Sequence, residues 1–285
     1  MNETVANVGN VAVIGGGRMG SGIAHAFLLA GYNVRLVEAS EAFQEEARSR
    51  VVRLVEASAS RGALREPVGD VLGRLTIHAA VANIAGCDLA VEAVPEIFEL
   101  KVALLAAASE ALGPDALLAT NTSSISIARL SEVLPEGRRF LGLHFFNPVP
   151  VSRLVEIVRG PTTTDEAVFA ARRWVESIAK TSIVVADSPG FASSRLGLAL
   201  GLEAIRMVEA GVATPDDIDQ AMVLGYKHPV GPLRLTDIVG LDVRLDIARY
   251  LESQLGERFA PPGLLVTMVE AGRLGQKSGQ GFYTW

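Results

Sequence analysis

The sequence predicts an α/β fold with a mostly parallel sheet, followed by an all-α C-terminal domain. Three observations carry this reading. From Val11 onward short apolar runs alternate with longer stretches of helical spacing, the pattern of strands buried on both faces by crossover helices. After Asp187-Ser188-Pro189-Gly190 the strand-like runs stop, and helices separated by Gly and Pro fill the remainder. The length of 285 residues, with 49% apolar, 20% charged and a positive mean hydropathy, suits two globular domains, expected over 1–187 and 188–285.

The expected strands are Val11 to Ile14, Val34 to Val37, Leu75 to His78, Leu89 to Val91, Ala116 to Ala119, Phe140 to Leu143, Leu154 to Val158 and Ser182 to Val185. Helices are expected between them at Arg18 to Ala30, Glu41 to Ser60, Ile97 to Leu112, Ile125 to Leu130 and Asp165 to Ala179, with Gly31 and Gly113 placed as left-handed caps. Asp187-Ser188-Pro189 reads as a helix start, a side-chain cap followed by a proline in the first turn. A long helix is then expected from Phe191 to Ala210, with Leu196, Leu200, Ile205 and Val208 as its apolar stripe and Gly211 as its stop. There is no internal repeat and no low-complexity tract.

Charge narrows the function. Lys and Arg number 26 against 32 Asp and Glu, a net charge of −6, so no global positive field gathers nucleic acid. The single cysteine, Cys87, forms no intrachain disulfide and no Cys-rich metal site, which fits a reducing compartment and makes cytoplasm the expected location. Met1 to Asn10 carries no Lys or Arg and has no signal-peptide layout, and no uncharged apolar run approaches the ~18 residues of a membrane span.

The segment Val11-Ala-Val-Ile14-Gly15-Gly16-Gly17-Arg18-Met19-Gly20 leads from a strand to a helix through Gly-x-Gly-x-x-Gly. Glycines at these places let the backbone approach a pyrophosphate at a helix N-terminus, with Arg18 and Met19 in the same turn. Glu38, 18 residues beyond Gly20 and at the end of the second expected strand, is placed to accept hydrogen bonds from an adenosine ribose. Its charge repels a 2′-phosphate, and Ala39, Ser40 and Glu41 bring no arginine to offset this, so NAD is favoured over NADP. The first domain is therefore read as a doubly wound, Rossmann-type, NAD-binding domain.

Further segments carry a resemblance. They are Val91-Glu92-Ala93-Val94-Pro95-Glu96 with Lys101, Asn121-Thr122-Ser123-Ser124, Gly142-Leu143-His144-Phe145-Phe146-Asn147-Pro148-Val149-Pro150 with Glu156, Asp187-Ser188-Pro189-Gly190-Phe191, His228-Pro229-Val230-Gly231-Pro232, and the tail Lys277 to Tyr283. In order and spacing, nearly end to end, they resemble the 3-hydroxyacyl-CoA dehydrogenases, particularly the short bacterial 3-hydroxybutyryl-CoA dehydrogenases. The resemblance implies oxidation of an (S)-3-hydroxyacyl-CoA by NAD, or the reverse, with the substrate between the domains and a homodimer formed through the helical domain.

Oxidising a secondary alcohol requires a group that takes the hydroxyl proton as hydride leaves the same carbon, and histidine suits that work near neutral pH. Of the four histidines, His25, His78 and His228 read as structural, whereas His144 stands at the C-terminal end of a strand, where ligands meet an open α/β sheet. His144 is the expected general base. Glu156, 12 residues on, is paired with it by the resemblance and would orient and stabilise the imidazole, although a glutamate on a half-exposed strand would also account for it. Ser123 follows a strand and reads as the start of a helix, with one of Ser123 and Ser124 as its cap, and by the resemblance Ser123 is also a contact to substrate and cofactor. Glu96, Lys101, Asn147 and Lys277 match family positions near the cofactor, and Asn147 is also assigned to substrate. Ser194 stands where the family has Asn. A serine is shorter and offers one hydroxyl in place of an amide, which implies slower turnover, a bridging water or a different acyl substrate. Arg48, Arg50 and Arg53 read as a solvated helix face, with CoA phosphates as their alternative. Two other functions stay open on these residues: a dehydrogenase of a non-CoA hydroxy acid or carrier-bound acyl group, and a catalytically weak NAD-binding protein.

Overall fold

The computed structural model describes residues 9–285, so that all but the last two residues of the Met1 to Asn10 segment, and with them the expected absence of a leader, lie outside the described residues. The chain divides into two compact units, one ending at Asp187 and one running from Ser188 to Trp285.

The first unit holds one eight-stranded sheet, formed by β1 (Asn10–Ile14), β2 (Asn33–Val37), β3 (Leu75–His78), β4 (Leu89–Glu92), β5 (Leu117–Thr120), β6 (Phe140–Phe145), β7 (Leu154–Arg159) and β8 (Thr181–Ala186). The strand order is β3-β2-β1-β4-β5-β6-β7-β8. Strands β1 to β6 are mutually parallel, β7 is antiparallel to β6, and β8 is parallel to β7. The reversal follows from chain length: residues 146–153 between β6 and β7 are too few for a crossover helix, so the chain can only turn back. Because strands of a parallel sheet are covered on both sides, Val11, Ala12, Val13, Leu89, Ala90 and Val91 are fully buried, and this is why they read as unbroken apolar runs.

The covering helices are α1 (Arg18–Leu29), α2 (Glu41–Ser60), α3 (Val68–Gly73), α4 (Phe98–Ala111), α5 (Ile127–Ser131) and α6 (Asp165–Ser177). On α2 the buried positions Ala47, Val51, Val55 and Ser58 recur at helical spacing, and Ser40 caps its start by accepting from the Phe43 amide at 3.3 Å. Gly31 has the left-handed φ expected of it, +92°, whereas Gly113 is not among the positive-φ residues. There α4 ends at Ala111 and Leu112 turns extended, so no left-handed residue is needed.

The second unit is helical: α7 (Ser193–Glu209), α8 (Pro215–Gln220), α9 (Pro232–Val239), α10 (Leu241–Leu255) and α11 (Gly263–Glu270). Its core is built from Leu198, Leu202, Ile205, Leu233, Leu241, Leu245, Leu251 and Leu265. Two expectations are corrected here. The chain does not start a helix at Asp187, because that carboxylate is used elsewhere: it accepts from the Ser126 hydroxyl at 2.7 Å and from the Ala128 amide at 2.8 Å, and so caps α5. Pro189 lies in the turn that precedes α7. The buried stripe of α7 is Leu198, Gly201, Leu202, Ala204 and Ile205, while Leu196 and Leu200, expected inside, are 65% and 43% exposed. Among the described residues no helix is long and apolar enough to cross a membrane.

Candidate active site

All six parallel strands deliver their carboxyl ends to one edge of the sheet, and the order reverses between β1 and β4, the place where open α/β sheets take ligands. The glycine turn lies there, between β1 and α1. A Cβ on Gly20 would fall 1.8 Å from the Gly15 carbonyl oxygen, and one on Gly16 would fall 2.4 Å from Ala47 Cβ of α2, so Gly20 lets α1 close onto the end of β1 and Gly16 lets α2 pack against the turn. Gly15 holds a φ of +103°. Gly17 differs: a Cβ there meets no atom within 4 Å, and Gly17 begins α1 without any side-chain cap. The turn is thus packed on its inner side and open where Gly17, Arg18 and Met19 present the helix N-terminus, the cradle a pyrophosphate needs. Glu38 follows β2 directly, and its carboxylate accepts the Gly16 amide at 2.5 Å, which brings it to the rim of that cradle.

His144 lies within β6 rather than beyond it, since the strand runs on to Phe145. In the antiparallel register it stands directly opposite Glu156 on β7. Nδ1 of His144 and Oε2 of Glu156 are 2.8 Å apart, Glu156 is fully buried, and His144 is 5% exposed. The Phe146 ring packs on the imidazole with centroids 4.5 Å apart. A carboxylate in such a place fixes the tautomer, keeping the proton on Nδ1 and directing Nε2 to proton transfer.

Ser123 is exposed in the connection after β5, and neither it nor Ser124 caps a helix. The helix starts later, at Ile127, with Ser126 as its cap. The amides of Ser123 and Ser124 are instead held by Glu96, at 2.9 and 3.0 Å. Burial raises the Glu96 carboxyl pKa, but Lys101 beside it and hydrogen bonds from Thr122 and Ser124 outweigh that and hold it below the usual carboxylate range. Lys101, expected near the cofactor, is fully buried, bonded to Glu92 at 2.7 Å and near Glu96 at 3.3 Å. Asn147 is exposed in the β6–β7 turn, which Lys180 grips through the carbonyls of Val149 and Ser152. In the second unit, Ser194 is half-buried in the first turn of α7, and Lys277 pairs with Asp242.

Two contributors, Glu92 and Asn121, were given no role from the sequence. Glu92 closes an apolar strand, and a charge at the end of a doubly buried run must be paired, which was a usable signal. Asn121, whose Oδ1 accepts the Phe145 amide at 2.8 Å, ties β5 to the strand of His144. Arg50 donates to the Gly16 carbonyl at 3.1 Å. Arg48 and Arg53 are exposed and Arg50 is about a third exposed and paired with Glu46 at 2.6 Å, as a solvated face implies, yet Arg50 and Arg53 also line, with Arg18, a cavity of about 450 Å³ walled by Asn147 to Pro150.

Residues 10–188 match the family model described as 3-hydroxyacyl-CoA dehydrogenase, NAD binding domain, and residues 190–285 match 3-hydroxyacyl-CoA dehydrogenase, C-terminal domain. A 3-hydroxybutyryl-CoA dehydrogenase of Mycobacterium tuberculosis is 42% identical over an alignment of 289 residues covering 100% of both chains. A probable 3-hydroxybutyryl-CoA dehydrogenase of Bacillus subtilis is 38% identical over 277 residues, covering 96% of each. Among solved structures, FadB2 of M. tuberculosis superposes with a TM-score of 0.91 at 42% identity, covering 98% of this chain and 99% of that one. The (S)-3-hydroxybutyryl-CoA dehydrogenase PaaH1 of Ralstonia eutropha does so with 0.92 at 36% identity, over 98% and 99%.

Proposed function

The chain belongs to the 3-hydroxyacyl-CoA dehydrogenase family, and from that premise we propose how its residues divide the reaction and which substrate they take. It is an NAD-dependent oxidoreductase that interconverts a 3-hydroxyacyl-CoA and its 3-oxoacyl-CoA. The substrate is short, 3-hydroxybutyryl-CoA, the one that the relatives' names specify. The observation that carries the mechanism is the buried His144–Glu156 pair, 2.8 Å apart, at the carboxyl edge of the sheet.

Nε2 of His144 takes the proton of the substrate's 3-hydroxyl, while Nδ1–H stays bonded to Glu156. The fully buried Glu156 carboxylate stabilises the imidazolium without itself being protonated. Ser123 donates a hydrogen bond to the same substrate oxygen and Asn147 contacts substrate and cofactor. When bound, NAD supplies the acceptor for the hydride from C3; Gly15, Gly17, Arg18, Met19, Gly20 and Glu38 would hold it, with Glu96, Lys101 and Lys277 assigned to its neighbourhood by the family pattern. The open face at Gly17 fits the pyrophosphate. The three arginines of the cavity support a phosphate-bearing acyl carrier over a free hydroxy acid. The first unit is assigned to the cofactor and the second to dimerisation and, through Ser194, to substrate. The lone, buried Cys87 supports a reducing, cytoplasmic location, and the acyl-CoA substrate supports a place in fatty acid metabolism.

The test is a set of initial rates of acetoacetyl-CoA reduction with NADH and with NADPH, and of oxidation of 3-hydroxybutyryl-CoA and of a free sugar acid with NAD, run on the wild type and on His144→Ala. Expected are turnover of acetoacetyl-CoA with NADH alone and a loss of at least about a hundredfold in kcat for His144→Ala, with NADH affinity retained. Equal turnover of the free acid, or a variant as fast as wild type, would overturn the reading.

A further inference from the structure

Glu92 ends β4 and Lys101 lies in the first turns of α4, and both are fully buried. A buried ion pair is weak grounds for stability, because the cost of removing two charges from water competes with their attraction. What the pair is connected to gives it another use. Glu92 Oε1 accepts from Lys101 Nζ at 2.7 Å and from the Val94 amide at 2.8 Å, and Oε2 accepts from the Thr120 hydroxyl at 2.6 Å. The ammonium is thereby locked between the ends of β4 and β5, and its second anion is Glu96 Oε2, at 3.3 Å. The other oxygen of Glu96 collects four donors from three consecutive residues: the Thr122 hydroxyl, the Ser123 amide at 2.9 Å, and the Ser124 amide and hydroxyl at 3.0 Å. Residues 121–126 have no helix or strand of their own: Asn121 is held by Phe145 and Ser126 by Asp187, and between them this carboxylate gathers residues 122–124.

We propose that Glu92 and Lys101 are positioning residues for the reaction: the buried pair fixes Glu96, and Glu96 folds residues 122–124 into the one shape that presents the Ser123 hydroxyl to the substrate. Lys101 acts through Glu96, whose carboxylate lies between the ammonium and the amides of Ser123 and Ser124. This rests on the assignment of Ser123 as a hydrogen-bond donor to the substrate oxygen. Glu96 stays ionised because Lys101 and the hydroxyls of Thr122 and Ser124 outweigh its burial, so the clamp is an anion across the neutral pH range.

The double variant Glu92→Gln/Lys101→Met removes both buried charges together and leaves neither uncompensated. We expect an unfolding midpoint within about 5 °C of wild type, NADH affinity within about threefold, and kcat on acetoacetyl-CoA at saturating NADH lowered about tenfold or more. Combined with Ser123→Ala, the double variant should add nothing to the loss that Ser123→Ala causes alone, because both remove the same contact. A purely structural pair would instead give losses that multiply, and a cofactor ligand would weaken NADH binding more than about tenfold with kcat intact; either result, or a double variant with wild-type kcat, overturns the proposal. If the double variant does not fold, the same cycle on Glu96→Gln, whose side chain is partly exposed, reads the same coupling. Ser123→Ala with unchanged kcat would overturn both the Ser123 assignment and this one, whereas a slow Ser123→Ala whose loss multiplies with that of the pair overturns only this one.

Discussion

His25 shows how burial alone moves a titration. It is 3% exposed on α1, its Nε2 lies 2.9 Å from the Ser58 hydroxyl of α2, and burial, with the charges of Lys180 and Arg61 behind it, lowers its pKa to about 4. The unfolded histidine titrates near 6.5. Between those values the unfolded chain holds a proton that the folded one does not, so this contribution to stability is complete above about pH 6.5 and is lost as pH falls toward 4. The span is worth about 3 kcal/mol at most. Urea unfolding of wild type and His25→Gln at pH 7 and pH 4 checks it. Wild type should lose up to about 3 kcal/mol more than the variant over that interval, and equal losses would place the acid sensitivity elsewhere. The sequence marked His25 as structural and His144 as functional, and what separates them in space is their partners: a neutral hydroxyl for one, a buried carboxylate for the other.

Among elements, the glycine turn makes the sharpest contrast. Gly20 and Gly17 belong to one motif but are needed for different reasons, the first by the protein and the second by a ligand. Gly20→Ala drives a methyl group to 1.8 Å from the Gly15 carbonyl oxygen, so α1 must shift off β1. Gly17→Ala meets nothing within 4 Å. The expected outcome is a large loss of thermal stability for Gly20→Ala, and for Gly17→Ala a melting temperature near wild type with NADH affinity reduced at least about tenfold, read by calorimetry and fluorescence titration. Equal NADH affinity in Gly17→Ala would remove the pyrophosphate from that place. Elements were legible wherever one physical rule dominated. Strands buried on both faces read as apolar runs, and seven of the eight expected spans fall wholly inside observed strands, the eighth beginning one residue early at Ala116. Contacts across the sheet were not legible. Asp187 reads locally as the cap of a helix that would start beside it, yet it caps α5, which precedes it by some sixty residues. Ser123 reads as a cap until Glu96 takes its amide. The Glu92–Lys101 pair joins a strand to a helix, and no spacing rule predicts which lysine a buried glutamate will find.

At the scale of the molecule, the error on α7 becomes an argument about assembly. Leu196 and Leu200 satisfy the helical spacing that suggested a core stripe, yet they face outward, while the core is filled from the other side of the helix by Leu198, Leu202 and Ile205. A helix with apolar residues on both faces has more to bury than its own unit covers. The second unit exposes Leu224, Ile238 and Val243 as well, at 65%, 47% and 40%. Scattered leucines on a surface need no explanation, but Leu196 and Leu200 stand one turn apart on one face of α7 and so form a continuous apolar strip, and with a net charge of only −6 two copies repel little at physiological salt. The homodimer proposed for this chain is therefore expected to bury α7. Two polar substitutions, Leu196→Ser and Leu200→Ser, leave the core residues untouched, so the monomer should keep its helical circular dichroism while sedimentation velocity shifts from dimer to monomer. Each buried leucine is worth on the order of 2 kcal/mol and enters a symmetric interface twice, so the pair should weaken association by several orders of magnitude. A variant that sediments as the wild type does would mean that α7 faces water in the assembled enzyme.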